Sequence, residues 1–447
     1  MSNSAPVSTR TSRILTALLC AGLFLHVLSA VGVFLIKPES ISTTPDPLDY
    51  RLAAIQILDN QHFSFAAPEF DAPQLLRTPL YPALLAGTYL LDGRTGLVMI
   101  LIQSLSLVLM AFLLFRILIR LRVPDNIALL LTTLYLFEPL QWLYSLHTMT
   151  ETFSSLVLLV LVYLVIVPSS IRGKCLSALF GVGLAVIVLM KPSGTMWIPF
   201  MLMMLGAIPG SFHERMKRLL IACFFLVLVL SPWVIRNYNL TGYPVISSSG
   251  PFNFILFAGT SETQPDEYWD VVTMASYNGH SNQVWYAYTT NAYPMLLETQ
   301  KTILEKADMT SLIMRQIAYA PVVWFGFLTK HNEESYGHAY GMIATFIFGD
   351  LGSRYAGTLL ILDVMFWSVA LVLFLYGSVL LARLKDIRWL YLPLFGMVAA
   401  TVFINFQASW VRVMLPMYPI LAIAAGIALA RIFAYFQFKG THAKVRP

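Results

Sequence analysis

The sequence predicts an all-α polytopic membrane protein with about ten to twelve transmembrane helices. Of its 447 residues, 57% are hydrophobic and only 12% are charged. Soluble globular proteins average about 45–50% apolar and about 25% charged residues. Long apolar runs alternate with clusters of Lys and Arg, which is the pattern of a chain that crosses a bilayer repeatedly.

The transmembrane spans are read from apolar runs that approach the length of about 20 residues needed to cross a bilayer. The first run follows Arg10 and Arg13. It is too long for a signal-peptide core of roughly 7–15 residues, so we expect it to be retained. The predicted spans are 14–36, 96–118, 127–146, 153–167, 176–190, 196–208, 219–235, 358–381, 390–406 and 413–433.

Basic clusters determine the predicted topology. They follow alternate spans, so the positive-inside rule places them and both chain termini in the cytoplasm, with the protein in the cell inner (plasma) membrane. The chain then divides into an N-terminal transmembrane module (1–235) that includes the first outer loop (37–82), an outer subdomain (236–355) and C-terminal helices (356–447). The clusters contain Arg116, Arg120, Arg122, Arg172, Lys174, Arg215, Lys217, Arg218, Arg383, Lys385 and Arg388.

Two apolar stretches in the outer segments are too short to be clear spans. Residues 80–91 follow the sequence RTP, and their prolines favour a first-turn start, so we predict a re-entrant or juxtamembrane helix. Residues 317–329 are apolar and aromatic, and we expect them to lie at the interface rather than to span together with 342–348. The outer subdomain is expected to contain a further helix over 295–314.

The first outer loop contains two carboxylates of interest, Asp46 and Asp49. Asp46 followed by Pro47 is typical of a helix N-cap, and Asp49 then occupies the third position of an acidic capping box. Apolar residues follow at helical spacing, which predicts an amphipathic helix on the membrane surface. Asp46 is therefore a structural cap or a general base, and one residue can serve in both ways.

Glu151 lies where the second outer loop re-enters the bilayer. A carboxylate at that depth is costly unless it faces a polar cavity, so a functional role is one hypothesis. The alternative is a favourable charge at a helix N-terminus, with Thr148 or Thr150 as the cap. His147 is one helical turn earlier and could pair with Glu151.

Cations on the predicted outer side run against the positive-inside trend. They are Arg77, Lys191, Arg236 and Arg412. Phosphate binding is one explanation, because the Arg fork matches phosphate oxygens and Lys acts as a point charge. The alternative is contact with lipid head groups. The sequence contains no HExxH, CxxC, P-loop or GxSxG motif, so we predict no metal site and no ATP-driven or hydrolase chemistry, while a requirement for a divalent cation stays open.

Three motifs in order carry a resemblance to a known family. They are Asp46-Pro-Leu-Asp-Tyr50 leading to Arg77–Pro82, then Pro232-Trp-Val-Ile-Arg236-Asn-Tyr238 followed by Ser247–Gly250, and finally Arg412 with Pro416 and Pro419. With these motifs the chain resembles the C-type membrane glycosyltransferases, in the bacterial branch similar to protein O-mannosyltransferases and the lipid A aminoarabinose transferase. Family members often have Arg-Tyr-Arg at the third motif, where this chain has Arg412-Val413-Met414.

The resemblance implies a sugar transferase that uses a polyprenyl-phosphate-linked donor and inverts the anomeric centre. Asp46 would act as general base on an acceptor hydroxyl of a protein, lipid or glycan. Asp49 and Glu151 are the other candidate catalytic carboxylates. The expected substrate- and phosphate-binding residues are Arg77, Tyr81, His147, Lys191, Arg236 and Arg412.

The main alternative is a secondary transporter or lipid flippase. Transporters favour inverted repeats and midplane charges, whereas the charges here gather in outer loops and no repeat is evident. An O-antigen-ligase-like transferase is a further alternative, and it would make Asp46 dispensable. The expected partners include membrane lipids but no nucleic acid, because the basic residues lie beside membrane segments and are explained by topology.

Overall fold

The computed structural model describes residues 8–36, 45–64, 73, 75–167, 171, 173–251, 293–306, 308, 310–311, 314, 369–383, 388–404 and 414–443. The predicted features at Arg412, 317–329 and 342–348 lie outside these ranges, as does most of the outer subdomain. The side chain of Asp46 also lies outside the description, although its backbone is included.

The described residues are almost entirely helical, and their extended pairing is a single antiparallel bridge between Ser64 and Pro73. Short 3₁₀ helices cover Pro192–Trp197, Arg388–Leu390 and Leu415–Met417. The α-helices are α1 (Thr9–Ile36), α2 (Pro45–Asn60), α3 (Leu80–Asp92), α4 (Leu97–Arg120), α5 (Asp125–Leu136), α6 (Pro139–Ser145), α7 (Glu151–Ile166), α8 (Gly173–Met190), α9 (Ile198–Ala207), α10 (Phe212–Thr241), α11 (Tyr293–Lys306), α12 (Val369–Arg383), α13 (Tyr391–Ile404) and α14 (Tyr418–Ala443).

Several helices are long and apolar enough to cross a membrane. In the described part of the chain, five segments meet this requirement: Thr9–Leu35, Leu97–Arg120, Gly173–Met190, Phe212–Thr241 and Leu415–Tyr435. Helices α5, α7 and α12 are shorter but also apolar. The all-α membrane class predicted from composition is therefore confirmed at this level.

Two of the predicted spans are interrupted. The run 127–146 is two helices, because α5 ends at Leu136 and α6 begins at Pro139, whose ring nitrogen has no hydrogen to donate. Buried Glu138 occupies the break, and its Oε2 accepts a 2.6 Å hydrogen bond from the Gln141 amide. The run 196–208 begins in the end of the 3₁₀ helix Pro192–Trp197 and continues as α9, whose 10 residues extend about 15 Å.

Predictions for the shorter helices agree with the structure apart from their ends. The predicted helix over 80–91 is α3, and the one over 295–314 corresponds to α11, which ends at Lys306. Helix α2 begins at Pro45, so Asp46 lies in its first turn rather than at the cap. Helix α10 continues past the predicted end of its span to Thr241, which places Arg236 inside a continuous helix.

The helices share one large buried core. It is formed mainly by α4, α5, α7, α8 and α14, with further apolar side chains from α9, α10, α12 and α13. Helices α8 and α10 approach so closely at Gly181 that a Cβ there would collide with the Ala222 carbonyl oxygen. Small residues allow such backbone contact between membrane helices.

The bundle has two chemically distinct ends. Helices α4 and α7 run in one direction, while α8 and α10 run back. Arg120, Lys174, Lys217 and Arg218 all line one cavity, and we call this side the basic end. The start of α1 lies on the same side, because Thr11 Oγ1 donates to Asp125 Oδ2 over 2.8 Å.

The opposite side, where α7 begins and α8 ends, is the site end. The 16 residues of α7 separate the two ends by about 24 Å. Basic clusters that are far apart in sequence thus gather at one end, as the charge pattern predicts.

Candidate functional site

The first ion pair of the site joins α2 to the segment before α3. Arg77 donates to Asp49 Oδ2 from Nη2 at 2.7 Å and from Nε at 3.1 Å. Asp49 is only 3% exposed. The same guanidinium carbon lies 5.1 Å from the centroid of the Tyr50 ring. The Arg77 side chain is therefore held by the Asp49 carboxylate and by the Tyr50 ring, and these contacts attach α2 to the segment before α3.

The second ion pair joins α7 to the residue that follows α8. Lys191 Nζ donates to Glu151 Oε1 over 2.9 Å, and the two side chains are only 11% and 2% exposed. Thr150 Oγ1 donates to the other carboxylate oxygen at 3.3 Å. Glu151 is the first residue of α7 and Lys191 follows the last residue of α8. The dipoles of both helices therefore favour the charge that each residue carries.

Tyr81 ties the loop before α7 to α3 and α4. Its hydroxyl donates to Gln103 Oε1 over 2.7 Å. Gln103 Nε2 in turn donates to the carbonyl oxygens of Ser145 and His147, at 2.9 and 2.7 Å. Gln103 has no exposed surface. This amide therefore positions the backbone that leads into Glu151.

The Tyr81 ring also lies between the two ion pairs. Its centroid is 5.0 Å from that of Tyr50 and 6.1 Å from that of Phe153. Burial raises the pKa of Tyr81 well above its ordinary value, and the nearby Tyr50 and Glu151 raise this pKa further. The Asp49 pair and the Glu151 pair therefore belong to one cluster, which we call the carboxylate cluster: Asp49, Arg77, Tyr81, Gln103, Glu151 and Lys191.

Arg236 packs against two aromatic rings beside the first loop. Its guanidinium carbon lies 4.6 Å from the centroid of the Trp233 ring and 5.7 Å from that of Phe63. Nη2 donates to the Phe63 carbonyl oxygen over 3.1 Å, and Nη1 donates to Asn237 Oδ1 over 2.8 Å. Cation–π contacts of this kind attract the guanidinium to the ring faces and orient it.

The segment after α10 folds back onto its own helix. Asn237, which is fully buried, donates from Nδ2 to the carbonyl oxygens of Val245 and Ile246, at 2.9 and 3.3 Å. Trp233 Nε1 also donates to the Ile246 carbonyl oxygen, at 2.8 Å. These bonds determine where Ser247 and Ser248 lie.

Those two serines bind the backbone just before Arg77. Ser247 Oγ donates to the Leu76 carbonyl oxygen over 2.6 Å, and the Ser248 amide donates to that of Leu75 over 3.1 Å. We call this contact the loop latch. It brings parts of the first and second sequence motifs together, although about 170 residues lie between them.

The third motif is described from Met414 onward. Its 3₁₀ helix Leu415–Met417 is buried and packs against α7. Gln141 Nε2 donates to the Leu415 carbonyl oxygen over 2.9 Å, so the described part of this motif also lies beside α6.

Three buried hydroxyl groups lie along the same loop segments. Ser64 Oγ, Thr78 Oγ1 and Ser248 Oγ have no hydrogen-bond partner among the described residues. Ser64 follows Phe63, whose carbonyl oxygen binds Arg236, and Thr78 follows Arg77. Ser248 is part of the loop latch. A buried hydroxyl without a partner costs free energy, so a bound ligand with acceptor oxygens would be stabilised there.

The predicted site residues are thus largely brought together. Asp49, Arg77, Tyr81, Glu151 and Lys191 form the carboxylate cluster, and Arg236 lies beside the first loop. His147 is buried and contributes its carbonyl oxygen to Gln103. Sequence reasoning assigned no role to Gln103, Glu138 or Asn237. Gln103 and Glu138 are polar residues inside apolar runs, and Asn237 follows Arg236 within the second motif. In the described residues, no group of three or more His, Cys, Asp or Glu side chains is placed to hold a metal ion.

No protein-family model, curated protein or solved structure compared with the chain matches it. The fold and the site together define its class. The chain is an all-α membrane protein with a buried carboxylate–cation cluster at one end of its helices.

Proposed function

We propose that this protein is a membrane glycosyltransferase of the C-type class. It would transfer a sugar from a polyprenyl-phosphate-linked donor to a hydroxyl of a protein, lipid or glycan acceptor. The reaction takes place at the outer face of the cell inner membrane, in a chain with about ten to twelve spans and both termini in the cytoplasm. The supporting observation is the carboxylate cluster, in which acidic and basic side chains from separate loops meet at the ends of the helices.

In this proposal a carboxylate activates the acceptor. The hydroxyl oxygen attacks the anomeric carbon, and the bond from that carbon to the phosphate oxygen breaks. The electron pair of the broken bond leaves on the phosphate, and the hydroxyl proton passes to the carboxylate. We assign this role to Asp46, in the first turn of α2. Asp49 and Glu151 are the alternative bases, and each already shares its charge with a cation.

The charge that develops on the departing phosphate needs stabilisation. Arg77 and Arg236 flank the loop latch. The hydroxyls of Ser64, Thr78 and Ser248, which have no hydrogen-bond partner in the described part of the chain, lie along the same segments. Guanidinium groups and hydroxyls are the donors that phosphate oxygens accept from most readily. We therefore assign binding of the donor phosphate to Arg77, Arg236 and these hydroxyls. Lys191, His147 and Arg412 are further candidates.

The position of the ion pairs favours a transferase over a transporter or flippase. Glu151 and Lys191 lie at helix ends, beside the loops of the site end, rather than halfway along a helix. Transporters place their coupling charges near the bilayer midplane instead. A lipid-linked donor also accounts for a site at membrane level, because the prenyl chain stays among the helices while the sugar reaches the loop.

The test is transfer of sugar from a polyprenyl-phosphate donor by the purified protein in lipid vesicles. Asp46→Asn keeps the size of the side chain but removes the base, and we expect turnover to fall at least about 100-fold. The matched control is Asp59→Asn on the same helix. Asp59 is exposed and pairs with Arg94, away from the cluster, so its loss should leave turnover unchanged.

Full activity of Asp46→Asn would move the base to Asp49 or Glu151. Movement of lipid or solute across the bilayer by wild-type protein, without sugar transfer, would replace the transferase proposal by the transporter alternative. Donor binding by Asp46→Asn, measured in the same vesicles, separates loss of chemistry from loss of folding.

A further inference from the structure

A cavity of about 510 Å³ opens at the basic end of the bundle. It lies between the end of α7, the start of α8 and the turn before α10. The length of α7 separates it from Glu151 by about 24 Å, so it is distinct from the carboxylate cluster. Among the described residues, its charged lining consists of four basic residues and one acidic residue: Arg120, Lys174, Lys217, Arg218 and Glu214.

The charges in this cavity are not balanced. The Glu214 carboxylate accepts a 2.8 Å hydrogen bond from the Ser211 amide, as part of the capping box of α10. Arg218 donates from Nη1 to the Ile208 carbonyl oxygen at 3.0 Å and from Nη2 to the Pro209 carbonyl oxygen at 3.1 Å. Lys174 and Lys217 are exposed, and neither has an ion-pair partner among the described residues. The cavity therefore has an excess of positive charge.

The remaining wall of the cavity is apolar. It is formed by aliphatic side chains of α7, α8, α10 and the helix connections, and the described lining includes no aromatic ring. A nucleotide would leave its base without a stacking partner here. A phospholipid would place its phosphate among the cations and its glycerol and upper acyl chain on the aliphatic wall. The aliphatic residues include Leu164, Ile166, Ile171, Ile208 and Ile221.

We propose that this cavity is a binding site for an anionic phospholipid of the leaflet at the basic end. The cations bind the headgroup phosphate, and the aliphatic wall holds the adjoining acyl chain. Basic pockets between membrane helices recognise anionic head groups in this way. The site is independent of the sugar-transfer proposal, and it would anchor the ends of α7, α8 and α10 relative to one another.

The test measures lipid binding to purified protein by native mass spectrometry, with added phosphatidylglycerol, cardiolipin or phosphatidylcholine. The double variant Lys174→Gln/Lys217→Gln removes two exposed charges of the cavity. Each basic side chain near an anionic head group contributes roughly fivefold in affinity, so we expect binding of the anionic lipids to weaken about 30-fold. The control Arg10→Gln/Arg13→Gln removes the same charge from the exposed start of α1 at the same end.

Unchanged binding by the control, and weak binding of phosphatidylcholine to every variant, would support the cavity. Equal weakening in both double variants would overturn it, because the effect would then belong to surface charge in general. Displacement of the lipid by millimolar inorganic phosphate alone would also overturn it, in favour of a small-anion site. Thermal unfolding of both variants in the same detergent shows that folding is retained.

Discussion

Lys191 Nζ lies 2.9 Å from Glu151 Oε1, although 40 positions separate the two residues in the chain. This buried pair joins the carboxyl end of α8 to the amino end of α7. Taking both charges out of water costs several kcal/mol, which their attraction only partly offsets. A pair of this kind is weak evidence for stability, so its placement close to Tyr81, within the carboxylate cluster, favours a functional role.

We first predict that the two members of this pair depend on each other for folding. Glu151→Gln or Lys191→Met alone leaves a buried group without its counter-charge and should lower the free energy of unfolding by about 3 kcal/mol. The double variant Glu151→Leu/Lys191→Met removes both charges and should recover most of that stability. Chemical denaturation in detergent measures the three values.

Activity separates structure from function in the same set of variants. If the pair serves catalysis or binding, the double variant should fold like wild type and still transfer no sugar. A double variant with normal turnover would show that Glu151 and Lys191 only hold α7 and α8 together.

The second prediction concerns the geometry of Arg77. Both Nε and Nη2 of Arg77 donate to Asp49, and a lysine cannot reproduce this two-point contact. Arg77→Lys should therefore reduce turnover at least tenfold while the charge is retained. Arg94→Lys, at the exposed Asp59 pair, is the matched control and should have little effect. Equal turnover of Arg77→Lys and wild type would contradict a role for the fork geometry.

The third prediction tests the hydrogen bond from Tyr81 to Gln103. Tyr81→Phe leaves the buried Gln103 Oε1 without its donor and should cost about 1–3 kcal/mol. Because Gln103 holds the loop that leads to Glu151, the Michaelis constant for the donor or the turnover should change as well. Tyr89→Phe is the control, since Tyr89 is buried in the same apolar cluster on the same helix. Indistinguishable effects of the two variants on turnover would contradict the positioning role of Tyr81.

The class of the fold followed from composition, since a chain with so few charges has to bury its helices in lipid. The sequence did not reveal the interruption at Glu138 and Pro139. The apolar run continues through the end of α5, and the Glu138 side chain that caps α6 is itself buried, so the pattern shows no break. The sequence also identified Asp49, Arg77, Glu151 and Lys191 as candidates. It did not show which carboxylate pairs with which cation, because that depends on how α2, α7 and α8 pack.

Gln103 and Asn237 show a second kind of limit. Gln103 lies in an apolar helix and Asn237 lies near the polar end of α10, and a helical pattern does not reveal whether such a residue faces lipid, a neighbouring helix or a loop. Both bind backbone carbonyl oxygens outside their own helix: Gln103 binds those of Ser145 and His147, and Asn237 binds those of Val245 and Ile246. Loop backbones need partners for their carbonyls when they are buried, and these two amides provide them.

The fourth prediction is a loss of stability at alkaline pH. Burial raises the pKa of Tyr89 to about 12, and it raises the pKa of Tyr81 well above 10. Above pH 10 the unfolded chain loses these protons while the folded protein keeps them. The stabilisation is complete below pH 10. Above pH 10, each tyrosine that stays protonated in the folded protein lowers the free energy of unfolding by about 1.4 kcal/mol per pH unit.

Unfolding free energies measured from pH 9 to about 12 would reveal this slope, together with tyrosinate absorbance of the folded protein. Tyr89→Phe should reduce the slope by the contribution of one proton. A free energy of unfolding that stays constant above pH 10 would show that both phenols ionise as readily in the folded protein as in the unfolded chain.

The last prediction tests the loop latch through Asn237. Asn237→Ala removes two hydrogen bonds to the segment that carries Ser247 and Ser248, and it also removes the acceptor of Arg236 Nη1. Loss of these bonds should loosen the latch against Leu76 and raise the Michaelis constant for the lipid-linked donor at least tenfold. The control is Asn239→Ala, two residues further along α10, where the side chain is exposed.

A specific effect on the donor would distinguish the latch from general destabilisation. If the latch positions the groups that bind the donor phosphate, hydrogen exchange of the backbone around Leu76 should increase in Asn237→Ala and remain unchanged in Asn239→Ala. Faster exchange without a change in donor binding would mean that the latch supports only the loop. Unaltered exchange in Asn237→Ala would mean that Ser247 and Ser248 hold their position without the amide, because their own bonds to Leu75 and Leu76 are then sufficient.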